Sequence, residues 1–309
     1  MAEVYGTLKE IAVHMAKTQQ DMVDSVTEET PVVDTIPFQA ASHDMWNVAK
    51  NLGSVTGGGF GDAGAPLASM KVQRGLRRVD LKVLGGEVFI DQDSALQMGG
   101  PAAYFADNEP AILSKLGMDA EVEIIYNSLR AYALQNAAFI PGLKTLCGGA
   151  GNANYSILAV RWIRGASCGL YSPKMFKQGT LVKGESLSGG QLYKNPSDGV
   201  NGYGFQYKGY IGIQLLNMKT CAGLFNVTAT NKPTGMQVDD MLASIRATDK
   251  NTFIYCHPKA MNVLADVGKS AAFRMGTSDK DVDRRIASWN GVRIVVTYNM
   301  FDGTEANVT

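Results

Sequence analysis

The sequence has few of the residues that build metal sites and redox sites. It contains only four cysteines and three histidines among 309 residues. The cysteines stand far apart, without the Cys-x-x-Cys spacing of a metal knuckle or a redox dithiol. No histidine has a partner at the spacing of metal ligands. We therefore expect no metal site and no cofactor.

Net charge and long apolar runs are missing as well. Lys plus Arg and Asp plus Glu number 29 each, so the formal charge is zero and gives no overall attraction to nucleic acid or to an acidic membrane. No apolar run approaches ~18 residues, which excludes a membrane-spanning helix. Hydrophobic residues make up 45% of the chain, enough for a core. The 34 glycines exceed the usual ~7% and indicate many turns rather than a helical bundle.

Residues 1–51 are interpreted as an acidic N-terminal arm. The first 50 residues carry three lysines and eight acidic residues, including Glu28, Glu29 and Asp34. Pro31 and Pro37 oppose a helix, so the sequence predicts an extended segment around them.

Residues 52–95 are expected to form a long β-hairpin. A glycine-rich stretch leads into two alternating runs on either side of Gly75. The two runs, residues 70–90, are basic. Their net charge is +3, because five basic residues stand against Asp80 and Glu87: Lys71, Arg74, Arg77, Arg78 and Lys82. Arms of ~18 residues would reach ~60 Å, far beyond the ~19 Å radius of gyration of a compact chain of this size. The hairpin either rests on something other than its own body or folds back on its own domain.

Residues 110–139 form the clearest predicted helix. Pro110 suits a first helical turn, with Asp107 or Asn108 as the cap. One apolar stripe steps along it at helical spacing: Met118, Val122, Ile125, Leu129 and Tyr132. Residues 147–228 are predicted to be rich in strands, and residues 236–300 to alternate helices and strands.

The search for catalytic motifs yields one weak candidate. Ser167 lies in a Gly-x-Ser-x-Gly pattern, but no helical sequence follows it, and His257 is the only later histidine. The Gly268-Lys269-Ser270 triplet has Val263 where a phosphate-binding loop requires glycine. We therefore expect no catalytic residues, and favour a structural or assembly protein over an enzyme.

In this order the parts resemble the major capsid protein of tailed double-stranded DNA bacteriophages, which has the Hong Kong 97-type fold. The likeness is to the short-tailed-phage branch typified by epsilon15. It rests on an arm like VTEETPVVDTIPFQ, a long loop at 52–95 and a spine helix like EPAILSKLGMDAEVEIIYNSLRAYAL. It continues through NYSILAVRWIRGASCGLYSPK and YKGYIGIQLLNMKTCAGLFNV to VDDMLASIRATDKNTFIYCHPKAMNVLADVG, and so covers nearly the whole chain.

The resemblance implies an α+β fold in four parts. These are an N-terminal arm (1–51), an extension loop (52–95), a β-rich peripheral domain with the spine helix (96–232) and an α/β axial domain (233–309). It also implies self-assembly as hexamers and pentamers into an icosahedral head that encloses double-stranded DNA. The partners would be a portal protein and separate scaffolding and decoration proteins, and no membrane would be involved. The protein would be located in the virion, which is assembled in the host cytoplasm.

In such shells the extension loop lies across a neighbouring subunit. The basic hairpin and the acidic arm are therefore expected to meet between subunits. The expected contact residues are Lys71, Arg74, Arg77, Arg78 and Lys82 on the hairpin, with Glu28, Glu29 and Asp34 on the arm. Two alternatives remain open: an encapsulin-like protein compartment, and a serine hydrolase that uses Ser167.

Overall fold

A computed structural model of the chain describes residues 30–60, 69–97, 99–174, 182–195, 199–270 and 288–309. Its helices are α1 (Pro31–Asp34), α2 (Gln92–Gln97), α3 (Pro101–Glu123), α4 (Ala131–Asn136), α5 (Gly235–Ser244) and α6 (Pro258–Ser270). A π-helical segment, Ile124–Arg130, joins α3 to α4. Short 3-10 turns lie at Pro141–Leu143, Leu187–Gly190 and Met218–Thr220.

The strands fall into two sheets and one separate hairpin. Those of the first half are β1 (Phe38–Ala40), β2 (Trp46–Gly57), β3 (Met70–Asp80), β4 (Lys82–Asp91), β5 (Lys144–Leu146), β6 (Tyr155–Arg161) and β7 (Ser167–Tyr171). Those of the second half are β8 (Val182–Ser186), β9 (Tyr193–Lys194), β10 (Asn201–Leu215), β11 (Cys221–Val227), β12 (Thr252–Cys256), β13 (Ser288–Trp289) and β14 (Val292–Val296).

The core sheet has the strand order β13-β14-β12-β6-β11-β5. Its central strand β6 is apolar on both faces, because a layer of helices covers each side. Ile157 and Ala159 pack with side chains of α5 and α6. Leu158 and Val160 point the other way and pack with residues of the π-helical segment. The alternation along one strand thus assigns its side chains to two separate hydrophobic clusters.

The outer sheet is organised around β10. This 15-residue strand pairs with β4 along one edge, from Gly202 to Ile211, and with β7, β8 and β9 along the other. Phe38 of β1 extends the sheet by pairing in parallel with Gly169 of β7. The outer sheet therefore connects the segment that precedes the hairpin to the middle of the chain.

We call residues 101–136 the spine helix. Ile125, Leu129 and Tyr132 are buried against the core sheet, as predicted, whereas Met118 and Val122 are only half-buried. The prediction assumed 3.6 residues per turn along the whole helix. The π-helical segment has a different number of residues per turn, so the side chains before and after it do not stay on one face. Burial of each fully buried aliphatic side chain contributes ~1.5–3 kcal/mol, so the middle of this helix holds the core together.

The spine helix begins earlier than predicted. Its first residue is Pro101, and Pro110 lies inside the helix. Both prolines suit a helix start. Proline has no backbone N–H, and in the first turn of a helix that N–H would have no partner within the helix. The predicted cap Asn108 lies within the helix, where its Nδ2 donates to the carbonyl oxygen of Tyr104 at 2.8 Å. Sequence alone had no means of choosing between the two prolines.

The segment predicted to be extended around Pro31 contains a short helix instead. Pro31 occupies the first turn of α1, where its missing N–H costs nothing, and the chain becomes extended only at Phe38. Val32, Val33 and Ile36 are buried in the cluster beneath the spine helix. The segment that contains Asp34 is therefore packed on the body.

The hairpin also differs from its predicted boundaries. It consists of β2 and β3, and Gly75 lies within β3, paired with Asn51. β4 leaves the hairpin and joins the outer sheet. The return begins at Gly57, whose φ of +87° and 2.0 Å approach of a built Cβ to the carbonyl oxygen of Ser69 both require glycine. Arms of 12 and 11 residues reach ~40 Å, shorter than the sequence suggested.

The core sheet crosses the predicted boundary at residue 232. It combines β5, β6 and β11 with β12, β13 and β14, which come from either side of that position. The division into peripheral and axial domains remains a prediction. Within the described ranges, none of the helices combines the length and the apolar character needed to cross a membrane.

Candidate assembly surface

The hairpin has two chemically different faces. Cross-strand pairing places Val48 opposite Arg78 and Val55 opposite Val72. Even-numbered β3 residues share one face, because side chains alternate along a strand. We call this the apolar face, because it carries most of the hairpin's exposed hydrophobic residues, interspersed with charged ones such as Arg74 and Arg78. These hydrophobic residues are Val48, Val55, Met70, Val72 and Leu76. All five are exposed, from 37% for Val48 to 74% for Leu76.

The opposite face is polar and turns toward the body at the root of the hairpin. Asn47 and Ala49 lie on it and are buried. The Asn47 Nδ2 donates to Gln214 Oε1 of β10 at 2.5 Å, and a guanidinium N–H of Arg77 donates to the Leu215 carbonyl oxygen at 3.1 Å. Val79 adds a smaller apolar contact with the cluster around Leu81. The polar face thus meets the protein's own body, while the apolar face meets solvent.

Two of the five predicted basic contact residues have no ion pair with the described residues. Lys71 and Arg74 are exposed on β3, on opposite faces of the hairpin. As far as the described residues go, both side chains are therefore available to pair with another molecule.

The other three basic residues already contact this chain. Arg77 bonds to the Leu215 carbonyl oxygen, and Arg78 pairs with Asp80 at 2.6 Å and lies over the Trp46 ring. Lys82 pairs with Glu123 of the spine helix. Partial burial works to raise the pKa of Glu123, but hydrogen bonds from Lys82 and Asn127 outweigh it, so that pKa lies below its ordinary value.

The predicted acidic partners are not brought to the hairpin in the described chain. Asp34 is half-buried at the end of α1, and no ion pair joins it to another described residue. Glu28 and Glu29 lie outside the described residues. The expected meeting of arm and hairpin between subunits stays a prediction.

Two buried carboxylates that the sequence analysis missed hold the two ends of the described chain on the spine helix. Glu121 accepts the Val32 and Val33 backbone N–H groups at 3.0 and 3.3 Å, and its other oxygen accepts Asn299 Nδ2 at 3.2 Å and the Thr297 hydroxyl. Desolvation raises the pKa of Glu121, although these hydrogen bonds oppose it. The only sign of burial in the sequence was the position of Glu121, four residues before Ile125 and beside the apolar stripe.

Glu305 acts in the same way near the C-terminus. It accepts hydrogen bonds from the Tyr126 hydroxyl at 2.8 Å and from Ser156, and it pairs with Arg130 at 3.3 Å. The Tyr126 ring also stacks on Phe301, with 4.1 Å between ring centroids. The final segment is therefore fastened across the π-helical part of the spine helix.

The serine hydrolase candidate has no catalytic geometry. Ser167 is fully buried at the start of β7, one residue after the end of the turn that precedes this strand. Its hydroxyl donates to the Arg161 carbonyl oxygen at 2.7 Å and accepts the Ile163 N–H at 2.8 Å. His257 instead stacks on Tyr155, and burial lowers its pKa. The Ser167 hydroxyl thus closes a turn.

Other chemistry is equally sparse in the described part of the chain. There, no group of three or more His, Cys, Asp or Glu residues is arranged to hold a metal ion. Gly268-Lys269-Ser270 forms the end of α6 rather than a loop between strand and helix. The features that stand out are the two faces of the hairpin.

Comparison with solved structures bears on the fold. The structure of bacteriophage Epsilon15 matches with a TM-score of 0.55 at 14% identity, covering 88% of this chain and 87% of that chain. The bacteriophage JBD30 capsid matches with a TM-score of 0.52 at 9% identity, covering 85% and 88%. The chain has a phage capsid fold. The predicted α+β, Hong Kong 97-type architecture is confirmed at the level of fold.

An encapsulin structure is also similar. The holo-SrpI encapsulin complex from Synechococcus elongatus PCC 7942 matches with a TM-score of 0.47 at 14% identity, covering 66% of this chain and 90% of that chain. No family model matches the sequence, and the search of curated proteins found no match.

Proposed function

We propose that this chain is the major capsid protein of a tailed bacteriophage, which self-assembles as hexamers and pentamers into an icosahedral head. The observation that carries the proposal is the orientation of the hairpin. Its polar face lies on its own body and its apolar face is exposed. A hairpin that completed its own core would turn the apolar face inward, since one face of a stable sheet must be covered.

The occupant of the apolar face is a second copy of the same chain. A two-stranded hairpin is marginal in water, so β2 and β3 gain stability from a surface that covers them. A contact between the hairpin of one copy and a different surface of the next is head-to-tail. Such contacts form rings when the rotation between subunits closes, and open filaments when it does not. Rings of five and six subunits are the units from which an icosahedral shell is built. The fold shared with phage capsids supports this choice of partner.

Charges would adjust this contact rather than drive it. Lys71 and Arg74 are the basic residues for which we propose acidic partners on a neighbour, with Glu28, Glu29 and Asp34 as the candidates. Arg78 and Lys82 have side chains 63% and 66% exposed, so they can face a neighbour while keeping their own partners, and we retain them with Arg77 as contact residues. Exposed pairs contribute only ~0–1 kcal/mol each, which sets register more than strength.

The remaining partners follow from the proposed role. A head that encloses double-stranded DNA would use a portal protein, and scaffolding and decoration proteins would be separate chains. The neutral net charge gives no overall attraction to DNA, and it is compatible with this role because a motor would package the DNA. The protein would reside in the virion, assemble in the host cytoplasm and have no enzymatic activity.

Electron microscopy of the purified chain, alone and from infected or co-expressing cells, tests the proposal. Large angular shells with one distinct portal vertex support a phage head. Small isometric shells that contain protein cargo would assign the chain to an encapsulin-like compartment. Isolated small oligomers under all conditions would remove the capsid role and reopen the enzyme alternative.

A further inference from the structure

The root of the hairpin is joined to the body by a buried pair of amide side chains. Asn47 of β2 and Gln214 of β10 are 7% and 1% exposed. The Asn47 Nδ2 donates to Gln214 Oε1 at 2.5 Å. Buried polar pairs are costly unless their hydrogen bonds are satisfied, so their presence here needs a reason.

Both amides are fixed in orientation by a second bond. Asn47 Oδ1 accepts the Ser42 backbone N–H at 2.9 Å, and Gln214 Nε2 donates to the Gly165 carbonyl oxygen at 2.8 Å. Each amide thus uses its oxygen and its nitrogen for different partners. The resulting series runs from the turn before β2, through Asn47 and Gln214, to the turn before β7. The first of these turns is the connection through which the chain enters the hairpin.

Directional bonds at this position matter because the hairpin is long. Each arm reaches ~40 Å, so a tilt of ~10° at the root moves the far end by ~7 Å. Val79 and Leu81 also contact the body at the root, but apolar contacts are non-directional and fix no angle. The Asn47–Gln214 bond and the Arg77 bond to the Leu215 carbonyl oxygen are directional contacts that join the strands of the hairpin to β10.

We propose that Asn47 and Gln214 are a positioning pair that sets the angle at which the hairpin leaves the body, and so which surface of a neighbouring copy it reaches. The consequence for assembly rests on the proposed capsid function. The angle itself is a property of one chain and can be measured without a shell.

The test measures a distance within one chain by pulsed electron spin resonance. Spin labels are placed at Lys71→Cys on the hairpin and Lys250→Cys on the body, both exposed, in a background with Cys147→Ser. Labelled chains are diluted with unlabelled ones, so that only intrachain distances contribute. Asn47→Leu and Gln214→Leu remove the pair, and Thr56→Ala, an exposed residue of the same strand far from the root, is the matched control. Asn47→Ser replaces Asn47→Leu where the latter fails to fold.

We expect one narrow distance distribution for the unmodified root and for Thr56→Ala. The root variants should give a broadened or shifted distribution, although circular dichroism shows that the fold is kept. Folded root variants whose distribution superimposes on the parent's would overturn the proposal. Where shells form, the root variants should give mixed particle sizes by microscopy. If the parent forms no shell, the capsid proposal fails, while the distance measurement still decides the role of the pair.

Discussion

The core sheet and the hairpin show two different ways in which strands can be stabilised in one chain. Every residue of β11 is buried, and helices cover both faces of the strands beside it. In β3, by contrast, residues 70 to 78 are all exposed, and none of the described residues covers the apolar face. Apolar alternation alone therefore does not say whether a strand is completed by its own chain or by another. The orientation of the polar face at the root is what distinguishes the two cases.

The largest expected effect comes from placing a charge in the core. Ile125→Asp buries an unpaired carboxylate against the core sheet, where Ile125 is fully buried. We expect a loss of at least ~4 kcal/mol in the free energy of unfolding, and insoluble protein. Ala131→Asp, on an exposed position of the same helix, is the control and should remain soluble. A soluble, assembling Ile125→Asp protein would show that the core is wrongly assigned.

The same change on the hairpin should act on assembly instead. Leu76→Asp lies on the apolar face and should leave the free energy of unfolding within ~0.5 kcal/mol, because the site is exposed in the monomer. Assembly should be lost, as judged by light scattering. Thr56→Asp on the polar face should still assemble. Normal shells from Leu76→Asp would mean that no subunit covers this face.

Charge reversal should have a smaller, salt-dependent effect. Lys71→Glu with Arg74→Glu should slow assembly, since it replaces attraction to acidic groups by repulsion, and added salt should reduce the difference. Adding Arg77→Glu and Arg78→Glu should block assembly while the monomer stays folded. The control with the same charge change is Lys219→Glu with Lys250→Glu on the body. Equal assembly rates for the two double variants would make the hairpin charges incidental.

The variant Ser167→Ala tests whether Ser167 has a structural role or is the nucleophile of a hydrolase. It removes two hydrogen bonds in a buried turn, so we expect a loss of ~1–2 kcal/mol in stability and intact assembly. The unmodified protein should not react with fluorophosphonate probes. Stoichiometric labelling of Ser167 that disappears in His257→Ala would restore the enzyme alternative.

The smallest effect is a pH dependence that should have opposite signs at two neighbouring carboxylates. Desolvation raises the pKa of Glu121, so in the native state it binds protons more readily than in the unfolded state. Stability of the parent relative to Glu121→Gln should therefore increase as the pH falls from neutral toward 4.5, the ordinary Glu pKa. The pKa of Glu123 is lowered, so its contribution has the opposite sign. The stability of the parent relative to Glu123→Gln should decrease as the pH is lowered. Denaturant titrations at several pH values give the free energy of unfolding of the parent and of each variant. If the parent-minus-variant difference changed with pH in the same direction for both carboxylates, the account would be contradicted.

The sequence predicted those elements whose signal is local. The strand-rich region that contains β6 and β11, the alternating region that contains β12 and the Ile125–Leu129–Tyr132 stripe were predicted, because continuous burial leaves a clear apolar pattern. Pro101 and Pro110 could not be ranked, since each suits a helix start. The return of the hairpin was misplaced at Gly75 because alternation continues from β3 into β4, although β4 belongs to another sheet.

The missed features depend on contacts between distant parts of the chain. Asn47 and Gln214 are 167 positions apart, and Glu121 bonds to residues 88 and 89 positions before it. No local pattern marks such residues, because an amide or a carboxylate in the sequence gives no sign of what it will meet. The basic character of the hairpin was visible, but not that Arg77, Arg78 and Lys82 would contact their own chain.

The central claim is that the apolar face of the hairpin is completed by another copy of this chain. A cryo-electron microscopy structure of the assembled particle tests it most directly. The account predicts that Val55, Val72 and Leu76 are buried against a neighbouring subunit while Asn47 stays bonded to Gln214 of its own. A particle in which these three side chains remain exposed, or in which the hairpin packs entirely on its own chain, would contradict it.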